Sequence, residues 1–494
     1  MNGGIFLNRF NIRGIAAALS LTLLLPLFAA CGEKPEVTTD APVTETTAPD
    51  VYTLPTYDFE GHEFNILSVG RRNVVKNDFL FDDKNPSVLD AAIERRNRAV
   101  EGLYNIKIVT EQKNSTANQQ SPEAYRALVR EATAGDYTYD ACIIPGYDVS
   151  QLAYEGYLSD LSKMKYFDAE HVWYDQSAND TFRFANTLFF TTGDFGINMM
   201  DQTYCVAFNK DLAEQYHVED LYTLVGDDMW TLDTMYSIAK EVSDDTDGDS
   251  VTDVYGILYW VDAVYGVVNA AGQRMVTLDD ATNSYKLTLN TETTYNVLDL
   301  FYNMTHDSRT SLMYQHNSAN LEYVDIFSGN RALFFMTTIG TLAHFRDMDT
   351  DYGILPYPHY SEQQSVYEST VAPFYMNFLC VPLLVEDEER TSAILEAIGS
   401  YSHDYIVPAY YEKTLMGQYT RDEESAEMLD IIFANRAYDL GYCYQPANLN
   451  KNLIYLLQSG SFDWSSRYAS LEQPATIVLG LISEAYRRSV GIGE

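Results

Sequence analysis

The sequence predicts an α/β protein built on mainly parallel sheets, and three observations carry that expectation. Strand-like apolar runs alternate with helical patterns from His62 to Gly146. The alternation returns after residue 200. No repeat of fixed period runs through the 494 residues, which argues for two α/β lobes rather than a solenoid or one large sheet.

The elements follow in order. HEFNILSV (62–69) alternates into a short strand. Behind the turn-like DDKNP, residues from Ser87 to Tyr104 place Val88, Ala91, Ile93, Ala99 and Leu103 at helical spacing. YNIKIVT (104–110) is a second strand. Ser121-Pro122 opens a helix with a capping hydroxyl and a proline in the first turn, and Gly135 closes it. YDACII (139–144) is a buried strand that stops at Pro145-Gly146. In the second half, Thr203–Phe208, Tyr255–Trp260, Ala332–Thr337 and Phe374–Pro382 read as strands. Thr231–Val242, Glu386–Tyr401, Ser425–Ala434 and Pro474–Arg488 read as helices.

Composition narrows the function. Apolar residues make up 46% and charged residues 21%, so the chain can bury a core and is not globally disordered. Lys plus Arg number 32 against 71 Asp plus Glu, a formal charge of −39, which argues strongly against nucleic acid as a partner because a polyanion is repelled. Tyrosine is over-used, at 39 residues, and its flat ring with a polar tip suits a grip on polar, ring-faced ligands as well as a tyrosine-rich surface.

The first thirty residues read as an address. Arg9 and Arg13 precede an uncharged run from 14 to 30 that is interrupted by Pro26 and falls short of the roughly 20 residues a membrane span needs. Ala29-Ala30 directly before Cys31 resembles the bacterial lipoprotein signal, although Phe28 stands where that pattern prefers Leu. The resemblance implies that residues 1–30 are removed and that Cys31 becomes a lipidated first residue, anchoring the protein outside the cell membrane. Residues 31–54 carry prolines at 35, 42 and 49 among threonines and acids, the composition of an extended tether, with a reach of at most about 75 Å.

Catalytic signatures are missing. The eight histidines form no HExxH or other close metal pair, and no GxSxG, GxGxxG or GxxxxGK[ST] occurs. Cys142, Cys205, Cys380 and Cys443 are far apart, without a CxxC pair, and read as buried thiols. Residues 244–256, DDTDGDSVTDVYG, are the one metal-like loop. Asp245, Asp247, Asp249, the Val251 carbonyl and Asp253 stand at one, three, five, seven and nine, the spacing with which a short loop wraps oxygen atoms around Ca²⁺. It departs from an EF-hand at Ser250 and Gly256, and a solvated acidic turn is the competing reading. The expected ion is structural, and no organic cofactor is expected.

Six segments in order, the acidic loop among them, carry a resemblance to the extracellular sugar-binding proteins of ABC transporters: GYDVSQLAYEGYLSDLS (146–162), CVAFNKDL (205–212), MWTLDTMYSIAKEV (229–242), DTDGDSVTDVYGI (245–257), FSGNRALFFMTTIG (327–340) and DYGILPYP (351–358). The resemblance implies a two-lobed fold of the periplasmic-binding-protein type (class II) joined by a multi-crossover hinge, with residues 55–198 and 352–404 in one lobe and 199–351 and 405–494 in the other. It implies a monomer that closes over a carbohydrate, an oligosaccharide by preference, and offers it unchanged to the permease subunits of an importer. Candidate ligand contacts are Tyr147 and Asp148 after the third strand, Asp194 near the first crossover, Trp260 at the end of YGILYW, and Thr338 and Gly340 at a strand-to-helix turn. Arg71, after the first strand, is a candidate for selecting an acidic sugar. The rival readings are a secreted, anchored glycan-degrading enzyme and a receptor for another small polar solute.

Overall fold

The computed structural model describes residues 52–492, apart from 71–77, 117–119, 315–321, 346–347, 373–375 and 412–422. Two five-stranded mixed sheets organise it. The first takes β1 (His62–Gly70), β2 (Ile106–Asn114), β3 (Ala141–Pro145) and β4 (Phe190–Thr191) from the N-terminal part and β13 (Asn377–Cys380) from far along the chain, in the order β2-β1-β3-β13-β4. The second is built from β5 (Tyr204–Asn209), β6 (Tyr255–Tyr259), β9 (Ser311–Met313), β10 (Ala332–Thr338) and β11 (Tyr352–Leu355), in the order β11-β5-β10-β6-β9. A hairpin, β7 (Val276–Asp279) with β8 (Ser284–Leu287), and a short parallel pair, β12 (Ser369–Thr370) with β14 (Arg436–Ala437), complete the strands among the described residues.

Both sheets are parallel where helices return the chain. β1 runs parallel to β2 and β3, and β10 runs parallel to β6, which runs parallel to β9. β13 lies antiparallel between β3 and β4, and β5 lies antiparallel between β10 and β11. The central strands β3, β5, β10 and β13 are buried along their whole length, the pattern of strands covered on both faces.

The helix signals explain where the elements begin. Ser87 and Asp90 form a reciprocal capping box at the start of the helix Val88–Tyr104. Ser121 caps Pro122–Ala134, and Gly135 ends it with φ +77°. Thr231 caps Leu232–Val242. One connected apolar core contains Ile144 of the first sheet and Phe335 of the second. Cys142, Cys205, Cys380 and Cys443 are all buried within the structure. Among the described residues no helix is long and apolar enough to cross a membrane.

Three expectations about elements are corrected. Tyr352–Leu355, expected to begin the segment returning to the first lobe, pairs with β5 and so belongs to the second sheet; the return to the first sheet is made by β13. Pro474 does not start the last helix, which runs from Trp464 to Ser489 with the proline inside it. The helix expected to end at Tyr401 continues to Tyr411 past Pro408. The signal segment, Cys31 and nearly all of the tether lie outside the described residues.

Candidate functional site

The register of the second sheet brings several chain ends to one edge. β6, β9 and β10 end there, at Tyr259, Met313 and Thr338. Antiparallel β5 begins there, with Tyr204 opposite Thr338, and β11 delivers Leu355 opposite Val206. The residues at or just beyond these ends are Tyr204, Trp260, Tyr314 and Tyr357. Carboxyl ends of parallel strands are where open α/β sheets expose backbone and side chains to a ligand.

The aromatic side chains there form a cluster. Trp260 meets Tyr204 edge-on, with ring centres 5.0 Å apart and planes at 63°. It lies 6.0 Å from Tyr314 on its other side. Tyr204 also packs on Tyr357 at 5.6 Å. Next to them Tyr265 meets Tyr442 edge-on at 4.7 Å. The phenol hydroxyls of Tyr204, Tyr357 and Tyr442 are buried and have no hydrogen-bond partner among the described residues. A buried hydroxyl without a partner costs about 1–3 kcal/mol.

Asp262 stands among these rings, two residues after Trp260. It precedes the helix Ala263–Ala270, yet its side chain does not cap that helix. Burial pushes its carboxyl up to about 6, opposed by a hydrogen bond from Trp260. Burial is also the main reason the phenols of Tyr147, Tyr204, Tyr265, Tyr314, Tyr357 and Tyr442 are held above their ordinary range, and the Asp262 charge adds to the shift in all six. They therefore stay protonated and can donate to a guest. Tyr147 comes from the first sheet, in the helix Gly146–Tyr154 directly after β3, so the cluster draws on both sheets.

The sequence candidates divide. Tyr147 and Trp260 lie in the cluster, and Thr338 borders it through its pairing with Tyr204, its hydroxyl 2.9 Å from that of Thr341. Asp148 is engaged elsewhere, its carboxylate accepting the Ser121 backbone N–H at 2.6 Å. Asp194 pairs with His403, Oδ2 to Nδ1 at 2.6 Å, and this bond raises the histidine. At Gly340 a Cβ would stand 2.9 Å from the Asp201 carbonyl oxygen, so the close approach there is to the protein's own backbone. Arg71 lies outside the described residues. Asp262, Tyr204, Tyr265, Tyr314, Tyr357 and Tyr442 were not among the candidates. The sequence held a signal for two of these tyrosines, since Tyr204 and Tyr357 each sit within two residues of an end of the segments 203–208 and 351–358. Asp262 and the Tyr265–Tyr442 pair come together only through tertiary packing.

The acidic loop is separate. Oxygen atoms of Asp245, Asp247 and Asp253 lie within 4.8 Å of one another, while Asp249 accepts the Val251 N–H at 2.7 Å. Asp245 accepts backbone N–H groups from Gly248 and Ser250, each at 2.8 Å, which bends the loop around its carboxylate. Three of the four expected carboxylates thus converge as an oxygen-ligated cation would require, and Asp249 does not.

Comparison with known proteins places the chain. The family described as bacterial extracellular solute-binding protein matches residues 107–401, more than half of the sequence. The chain belongs to this family. The solute-binding protein is also similar in fold to solved structures. An ABC substrate-binding protein from Listeria monocytogenes, in complex with cycloalternan, superposes with a TM-score of 0.51 at 16% identity, covering 87% of this chain and all of the other. RafE from Streptococcus pneumoniae gives 0.52 at 11% identity, covering 89% and 100%. UspC from M. tuberculosis gives 0.53 at 14% identity, covering 85% and 100%. No curated protein sequence matches. The fold is thus the two-lobed α/β type expected of the family, and the family implies an extracytoplasmic location.

Proposed function

We propose that this solute-binding protein captures a carbohydrate, an oligosaccharide by preference, and delivers it unchanged to the permease of an ABC importer. One observation carries the reading. Buried phenol hydroxyls without a hydrogen-bond partner among the described residues lie near a carboxylate and a tryptophan at the carboxyl ends of the strands. A sugar needs both parts of this arrangement: hydrogen-bond partners for its hydroxyls and aromatic faces for its C–H surfaces. Tyr147, Trp260 and Thr338 are retained as proposed contacts, and Asp262, Tyr204, Tyr357 and Tyr442 join them. Release depends on reopening of the lobes rather than on a chemical step. The protein acts as a monomer held at the membrane by lipid on Cys31, with residues 31–54 as its tether. Asp245, Asp247 and Asp253 hold a structural Ca²⁺.

Thermal-shift screening of the purified chain against a glycan panel tests the carbohydrate reading. A stabilising glycan is expected, recovered unaltered after incubation, and Trp260→Ala is expected to abolish its shift. A panel without any stabilising glycan, or turnover of the one that binds, would overturn it.

A further inference from the structure

Asp262 and Asp148 differ from Asp78, Asp175 and Asp439 in having no Lys or Arg acting on them among the described residues. Asp175 lies 2.8 Å from Arg436 Nε. Asp78 is acted on by Arg96, and Asp439 by Arg274 together with the N–H groups of Met275, Val276 and Gly441. Asp148 accepts a backbone N–H. The Asp262 carboxyl has the Trp260 N–H and no Lys or Arg acting on it among the described residues. It keeps partial access to solvent, whereas Tyr204, Tyr357 and Tyr442 around it are at most 1% exposed. Buried carboxylates are ordinarily paired, because a charge taken from water without compensation is costly.

We propose that the guest carries a protonated amine, as an amino sugar does, and that its ammonium group seats on the Asp262 carboxylate within the ring of tyrosines. The inference rests on the carbohydrate reading and narrows its ligand class. An ammonium brings donors and no acceptor. Asp262 takes one N–H, and the phenol oxygens of Tyr204, Tyr357 and Tyr442, without a hydrogen-bond partner among the described residues, are the acceptors for others. The aromatic faces attract a cation through their quadrupoles, more strongly where water is excluded. A neutral hydroxyl would satisfy the hydrogen bond and leave the charge uncompensated. The excess of 71 acidic over 32 basic residues favours the approach of a cation from solution.

Isothermal titration of the full chain with three trimers tests this: cellotriose, the glucosamine trimer and its fully N-acetylated form. They share one linkage and differ in the group at the second carbon: hydroxyl, ammonium or neutral amide. The glucosamine trimer is expected to bind on the order of a hundredfold more tightly than the other two. Asp262→Asn is expected to remove that preference while keeping the wild-type melting temperature. If the variant does not fold, the three trimers on the wild-type protein decide. Equal binding of the three, binding only of neutral glycans, or a preference that survives Asp262→Asn overturns the inference and leaves the carbohydrate reading standing. Failure of every glycan, charged or neutral, overturns both.

Discussion

Glu396 is a residue whose surroundings make a prediction independent of the ligand. It is fully buried, and its carboxylate accepts the Asp168 N–H and the Tyr174 hydroxyl at 3.0 Å each, with His171 Nδ1 at 2.7 Å. Burial dominates and pushes its carboxyl up from 4.5 to about 8. The folded state therefore holds a proton that the unfolded state releases at lower pH. The stability from that proton is fully present below about pH 4.5 and is lost as pH rises through about 8. His171 is pushed down by burial, so its own contribution is lost as pH falls and partly opposes that of Glu396. Glu396→Gln keeps the shape and most hydrogen bonds without the titration. Melting curves from pH 5 to 8 should show the wild type losing stability relative to the variant as pH rises; parallel curves would refute the assignment. Legibility also varies residue by residue. Trp260 and Tyr147 were readable as candidates because each follows within two residues of a strand's end. The role of Asp148 was not, because its partner Ser121 is 27 positions away. Asp262 looked like one acid among 71 until the rings around it were placed.

At the scale of elements, the helix starts were the most legible features because their signals are local. A serine, a proline and an acid at fixed offsets satisfy free N–H groups whatever lies beyond. Elements that break such rules were misread. Pro474 lies inside the helix Trp464–Ser489, on an exposed stretch of it, so the helix continues N-terminal to a residue that usually marks a start. The packing of β6 on the helix Leu232–Val242 depends on Gly256. A Cβ there would stand 2.3 Å from the Ala239 carbonyl oxygen and 2.6 Å from its carbon, both backbone atoms that cannot move aside alone. Gly256→Ala should therefore cost about 1–3 kcal/mol in chemical denaturation. Because β6 carries Trp260 and Asp262 at its far end, the substitution should also weaken glycan-induced thermal shifts. A wild-type denaturation midpoint would show that the helix yields without cost.

For the whole molecule, charge is the dominant feature. A net −39 favours solubility and repels polyanions. In the segment 245–253 three carboxylates converge, and a cation would relieve their repulsion. A site with an affinity of about 0.2 mM would add about 1 kcal/mol at about 1 mM Ca²⁺. The melting temperature should therefore rise with Ca²⁺ and fall with chelator, and Asp247→Ala should lose the response. An unchanged midpoint in both solutions would remove the ion.

The sequence by itself determined the alternating strands and helices, the helix caps, the acidic loop, the expected address and, through ordered short motifs, the family. These are carried by residues close together along the chain, where spacing and composition suffice. Tertiary structure alone decided that β11 belongs to the second sheet, that Pro474 sits inside a helix, and that tyrosines from residue 147 to residue 442 surround Asp262. Strand register and the packing of distant segments fix those outcomes, and neither leaves a trace in local periodicity.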